Sequence, residues 1–217
     1  MANAVIDRVP RGESWFAGRS HCDKCNHELG VLDLIPLLSF VFLGGKCRYC
    51  RKAIGFRNFW VELWMGLGFV MLPWQLWAVW WVTVVIAVMD WETRLVSEAL
   101  VVIWGILVVF QLHSFSVAQL VGVAVGVGLI GGLWAASKGR AMGFGDVEIA
   151  VVMGWWLGWP KIGVALWVAF VIGAIVGVIK LIKRLSNLRS EIAFGPFLLI
   201  GAWISYIWGG RLWNLVF

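Results

Sequence analysis

From residue 59 onward the chain is a long apolar tract broken by short polar stretches. Cutting it at those breaks leaves seven segments, roughly 59–72, 75–90, 96–112, 117–136, 147–159, 162–182 and 194–210. Several fall short of the ~20 residues that carry a helix comfortably across a bilayer, so their ends are fixed only to within several residues. Residues 59–90 must make two helices that turn near "LPWQ", because one helix of that length would overshoot the membrane. The pattern predicts an all-α polytopic membrane protein of about seven transmembrane helices. Ahead of the tract lies a polar region, and the chain divides near Asn58 into residues 1–58 and 59–217 without a low-complexity linker or a sustained repeat.

Composition strengthens this reading. The chain is 61% apolar and only 14% charged, with 17 Trp, well outside the usual range of a soluble domain. Many Trp residues cluster near the ends of apolar runs (Trp80, Trp81, Trp155, Trp156, Trp159), where amphipathic rings sit in an aromatic belt. No cleavable signal peptide is visible, since the first apolar run follows a charged, Cys-containing region. Glycines spaced by four, Gly122/Gly126 and Gly128/Gly132, are expected to let helix backbones approach closely in lipid.

The net charge of +6 raises the question of nucleic acid, and the placement of the charges answers it. With residues 1–58 cytosolic, 16 of the 18 Lys and Arg fall on the inner side, leaving Lys161 and Arg211 outside. The positive-inside rule supports that orientation, and the basic face is suited to anionic lipid headgroups. A lipid bilayer is the expected partner, not nucleic acid. The C-terminus is expected outside.

The N-terminal region holds all four cysteines: Cys22 and Cys25 in "HCDKCN", Cys47 and Cys50 in "KCRYCR". Two C-x2-C pairs can grip one tetrahedral ion from opposite sides. Two disulfides are the competing arrangement, but a cytosolic location keeps thiols reduced, and a region this small needs a staple. The expectation is a structural Zn2+ site that is closed by four thiolates, with His21 and His27 as bystanders. Between the pairs runs "VLDLIPLLSFVFLGG", too short and too interrupted by Pro36 to span. It either forms the core of this module or lies on the membrane surface, with the surface favoured.

Seven acids lie beyond residue 58: Glu62, Asp90, Glu92, Glu98, Asp146, Glu148 and Glu191. In the expected topology each sits at or near a cytosolic helix end. Asp90, in "VMDWETRLV", closes one apolar segment, and Asp146, in "GFGDVEIA", opens another. Two carboxyl groups brought to one depth by different helices suit peptide hydrolysis by an aspartic dyad. Like charges held close cannot both ionise, so such a pair shares a proton near neutral pH. Taken singly, Asp146 reads as a helix N-cap and Asp90 as an interfacial acid paired with Arg94. Their conjunction in one chain, beside glycines that admit a substrate backbone, favours the dyad.

These residues resemble a known family. The two C-x2-C pairs, "LDLIPLLSF", "VELWMG", "DWETRLV", "GFGD" and "FGPFLLIGAW" occur in the order seen in bacterial type IV prepilin peptidases, which are similar to GxGD-type intramembrane aspartic proteases. The resemblance covers nearly the whole chain and implies that Asp90 and Asp146 are the catalytic pair and that the four cysteines bind zinc. It implies prepilins and type II secretion pseudopilins as substrates, cut after a Gly that ends a basic leader at the bacterial inner membrane. S-adenosylmethionine-dependent N-methylation of the new N-terminus is implied as well. Gly143, Gly145, Thr93, Glu92, Glu98 and Glu148 are expected to bind substrate or shape the site.

Three departures stand out. Family members usually begin with another transmembrane helix, so the family's first helix is expected to be missing here. The position two after the GxGD Asp is commonly Lys but here is Glu148, and the motif around Asp90 often continues into Pro-Asp where this chain has Ser97-Glu98. The last two add negative charge, which suggests an acidic patch of Glu92, Glu98, Glu148 and Glu191 that receives a basic leader. The rival class is a non-enzymatic transporter or assembly factor with a zinc-bearing module, which would use its intramembrane acids for ion coordination.

Overall fold

The computed structural model describes residues 1–217 apart from 1, 13, 15–18, 23, 36, 112–115, 141, 184–192 and 217. Among the described residues it is helical, with two isolated β-bridges and no strand. It divides into two compact units, Met1–Val85 and Ile86–Phe217.

In the first unit, α1 (Ala2–Arg8), α2 (Leu38–Phe42) and α3 (Phe56–Met71) accompany the two cysteine loops. Pro73 and a 3-10 turn at Trp74–Leu76 separate α3 from α4 (Trp77–Thr93), so the turn expected at "LPWQ" is present. Proline cannot continue the α3 hydrogen-bond ladder, which explains the break. Gly68 packs directly against the Trp80 indole, whose Nε1–H donates to the Trp64 carbonyl at 3.2 Å.

The second unit takes the end of α4 together with α5 (Glu98–Gln111), α6 (Val117–Gly126), α7 (Gly132–Ser137), α8 (Phe144–Leu157), α9 (Lys161–Ile182) and α10 (Gly195–Val216). A π turn at Val127–Gly131 joins α6 to α7. Four glycines at 126, 128, 131 and 132 weaken the α-helical ladder there. α8 packs against α5, α6 and α10, and α9 packs along α10. Ile149, Ala150 and Met153 of α8 are fully buried, as befits a helix that is apolar on every side.

All seven apolar segments are therefore helical. Among the described residues, three helices are long and apolar enough to cross a membrane, at Trp74–Thr93, Val117–Ser137 and Lys161–Ile182; α5 is apolar but shorter. The glycine spacing divides in two. A Cβ on Gly122 would lie 2.5 Å from the Gly154 carbonyl oxygen, and one on Gly126 would lie 2.8 Å from that of Ala150. Gly128 and Gly132 face open space. The first pair is the seam that brings α6 and α8 backbones together.

Candidate active site

Asp90 lies in the last turn of α4 and Asp146 in the first turn of α8. Both are buried, at 5% and 6% exposure, and their charges are within electrostatic reach of each other. Burying two carboxyl groups in an apolar bundle is costly unless they are partnered or used. Asp146 accepts the Gly143 N–H on Oδ2 at 3.2 Å. Gly143 is the N-cap and Asp146 the third helical residue, so Asp146 is not the cap itself. It reaches back to a donor that the helix leaves unsatisfied. Asp90 receives the backbone N–H of Gly195 at the start of α10, while its Oδ2 is buried with no hydrogen-bond partner.

Gly195 is the site residue that sequence reasoning missed. A Cβ there would sit 2.6 Å from Asp90 Oδ2 and 3.2 Å from Ile149 Cδ1, so only glycine lets α10 start against the carboxyl group. The motif "FGPF" was the available signal. Gly145 serves a similar packing role: its α-carbon faces Val96, whose Cβ would be 2.6 Å from an added methyl. Gly143 is exposed, with only its own loop nearby.

The remaining candidates are polar neighbours at helix ends. Thr93 Oγ1 donates to the Met89 carbonyl at 2.7 Å and accepts the Leu95 N–H at 3.2 Å, closing α4. Arg94 follows in the left-handed region, and its N–H bonds the Asp90 carbonyl at 2.8 Å. Glu92 and Glu98 are exposed, Glu148 is half-buried, and the Glu98 and Glu148 charges interact. Glu191 lies outside the described residues. Lys180 of α9 stands 4.7 Å over the ring of Trp91, the neighbour of Asp90.

In the first unit the four cysteine sulfurs gather within 4.8 Å of one another, unpaired by disulfides. The two loops repeat one construction. Each first cysteine carbonyl accepts an N–H four residues on (Asn26, 2.8 Å; Arg51, 3.0 Å), and that residue is left-handed in both. Each loop is closed by a bridge, His21 to Glu28 and Lys46 to Ala53. Backbone N–H groups of Cys50 and Tyr49 point at Cys47 and lower its thiol to about 7, toward the thiolate that binds metal. The Cys22–Cys50 sulfur separation is 3.9 Å. Tetrahedral Zn–S bonds of ~2.3 Å place sulfurs roughly 3.8 Å apart, so the donor set fits a metal ion. The His27 ring lies tilted against Tyr49, ring centroids 3.7 Å apart, tying one loop to the other.

Fold and site together define an integral membrane protein with two buried acids at helix ends and a four-cysteine module able to bind a metal ion. Residues 1–76 match the Bacterial Peptidase A24 N-terminal domain, and residues 77–178 match the Type IV leader peptidase family. The chain is 32% identical over 211 residues to a prepilin leader peptidase/N-methyltransferase of Aeromonas salmonicida (strain A449), covering 89% of this chain and 72% of that protein. A protein of the same description from Pseudomonas aeruginosa is 31% identical over 210 residues, with 89% and 72% covered. One from Burkholderia pseudomallei (strain 1026b) is 27% identical over 239 residues, with 99% and 75% covered. No solved structure matches the chain significantly. The chain belongs to the type IV leader peptidase family.

Proposed function

We propose that this chain is a membrane aspartic endopeptidase that removes the basic leader from type IV prepilins and type II secretion pseudopilins, and that it N-methylates the new N-terminus. The observation that carries the first activity is the pair of buried carboxyl groups, Asp90 and Asp146, brought within electrostatic reach by different helices. One ionised carboxylate takes a proton from water, and the protonated partner polarises the scissile carbonyl. The two exchange roles as the tetrahedral intermediate collapses, so neither Asp is fixed as the base. The unpartnered Asp90 Oδ2 is available to a water or a substrate oxygen.

Around the pair, Gly143, Gly145 and Thr93 shape the site: the glycines keep the approach low, and Thr93 ends α4 just past Asp90. Glu92, Glu98 and Glu148 are read as an acidic patch for a basic leader, supported by the proximity of the Glu98 and Glu148 charges; Glu191, assigned to it from the sequence, lies outside the described residues. Methylation would take its methyl group from S-adenosylmethionine, and that reading rests on the relatives' descriptions. The metal held by Cys22, Cys25, Cys47 and Cys50 is proposed to be zinc, fixing two loops without entering the chemistry. Residues 1–58 form this cytosolic module and 59–217 the peptidase, with about seven spans in the bacterial inner membrane and the C-terminus outside.

The test is mass spectrometry of a prepilin incubated with the protein in lipid. A single cut after the leader Gly is expected, slowed by about 10²–10⁴-fold in both Asp90→Asn and Asp146→Asn, the scale of lost acid–base catalysis. Unchanged cleavage in either variant removes that residue from the dyad. A methyl increment on the new N-terminus, dependent on S-adenosylmethionine, tests the second activity.

A further inference from the structure

The first unit presents an exposed apolar surface between its cysteine loops. Between the cysteine loops, Leu32, Leu38 and Val41 are exposed, and Val31 and Phe42 are exposed at 83% and 84%. Two anchors hold this ridge with its side chains outward. Near its start Asp33 pairs with Arg48 Nε at 2.7 Å and accepts the Tyr49 hydroxyl at 3.4 Å and the Gly30 N–H at 3.1 Å. Arg48 and Tyr49 are the two residues between Cys47 and Cys50, so the ridge is fastened to the second cysteine loop.

Farther along, the Leu37 N–H donates to Glu62 Oε2 at 2.9 Å, and Asn3 Nδ2 donates to Glu62 Oε1 at 3.4 Å. Phe40 packs on Phe56 and Phe59 of α3, with ring centroids 5.4 and 5.2 Å away. Glu62, the acid inside the first apolar run, is thus a clasp between α1, the ridge and α3. Fastening the backbone of this segment at both ends fixes an outward apolar face in place, which a loose loop would not need.

Charge and continuity identify what covers that face. Lys46, Arg48, Arg51 and Lys52 are exposed in a stretch of seven residues that contains no acid. Phe56, Trp60, Trp64 and Leu67, at helical spacing on α3, are exposed as well, and the Phe40 contacts join the ridge to this stripe. An apolar, aromatic-rich surface rimmed by cations is the chemistry of an interfacial anchor in anionic lipid.

We propose that residues 31–35 and 37–42 lie in the headgroup–acyl boundary of an anionic bilayer, with Lys46, Arg51 and Lys52 on lipid phosphates, and that the four-cysteine module holds them there through Asp33. This is independent of the peptidase chemistry. To test it, the full chain carries a photoreactive benzophenone amino acid at Phe42, or at exposed Lys24 as control. It is reconstituted in phosphatidylcholine vesicles with or without phosphatidylglycerol, and adducts are read by mass spectrometry.

Lipid acyl adducts are expected at position 42 and not at 24. Their yield should fall several-fold without phosphatidylglycerol, or in the surface variant Lys46→Glu/Arg51→Glu/Lys52→Glu. Asp33→Asn should lower the yield while metal content is retained. Absence of lipid adducts at 42, equal yields at 24, or crosslinks to a second copy of the chain would overturn the bilayer assignment. A wild-type yield in Asp33→Asn would overturn the coupling to the cysteine module.

Discussion

Gly195 and Asp90 are 105 positions apart in the chain, yet an added methyl at Gly195 would lie 2.6 Å from the Asp90 carboxyl. Gly195→Ala must therefore move α10 or the carboxyl group. Cleavage should fall by about 10²-fold, the effect of a ~1 Å misplacement of a reacting group, in a prepilin assay with folding followed by circular dichroism. The proposed acidic patch has its own signature. Glu98→Lys with Glu148→Lys should slow a basic-leader substrate roughly 2- to 30-fold more than a neutral-leader one, given ~0.2–1 kcal/mol per exposed ion pair. Equal slowing of the two substrates would remove the patch from recognition. Asp90, Asp146 and the cysteines were legible as candidates because they stand in short motifs. Gly195 was not, because its partner is distant in the chain.

At the scale of elements, the α6–α8 seam decides where Asp146 stands. A Cβ on Gly154 would lie 2.5 Å from the Gly122 carbonyl oxygen and 2.7 Å from the Val123 α-carbon. Backbone cannot yield as a flexible side chain does, so Gly154→Ala should destabilise the bundle by about 1–3 kcal/mol and lower activity by displacing α8. Gly132→Ala faces open space and should be neutral or stabilising by up to about 1 kcal/mol. Thermal unfolding of both variants in one detergent distinguishes them. Helix positions were readable to within a few residues: the segment 162–182 became α9 (Lys161–Ile182), and 96–112 became α5 (Glu98–Gln111). The segment 147–159 began earlier, at Phe144, since Gly143 caps the helix and Asp146 lies inside it. The π turn at Val127–Gly131 was hidden within an apolar run whose hydropathy is blind to hydrogen-bond pattern.

For the molecule as a whole, two compact units with different sources of stability predict separable responses. Unit Ile86–Phe217 has an apolar core of its own, whereas the cysteine loops of Met1–Val85 gather four thiols that could hold a metal ion. A strong chelator should open residues 20–52 to limited proteolysis while most of the far-ultraviolet helical signal persists. Because thiols bind metal as thiolates, the same opening should need less chelator at lower pH. Loss of the helical signal together with the metal would show that the bundle also relies on the module.

Composition, segment length and the spacing of cysteines and acids are local properties, and by themselves they determined a helical membrane protein, a candidate metal-ligand set and a candidate dyad. The contacts were decided only in three dimensions. An almost uniformly apolar helix such as α8 has no polar face to announce which side meets a neighbour, so neither its rotation nor its register can be read from the pattern. Tertiary packing alone selected Gly122 and Gly126 over Gly128 and Gly132, buried Asp90 and Asp146, and set Gly195 against the carboxyl group. It also turned Val31 and Phe42 outward, because the backbone between them is held by Asp33 and Glu62, whose partners lie elsewhere in the chain.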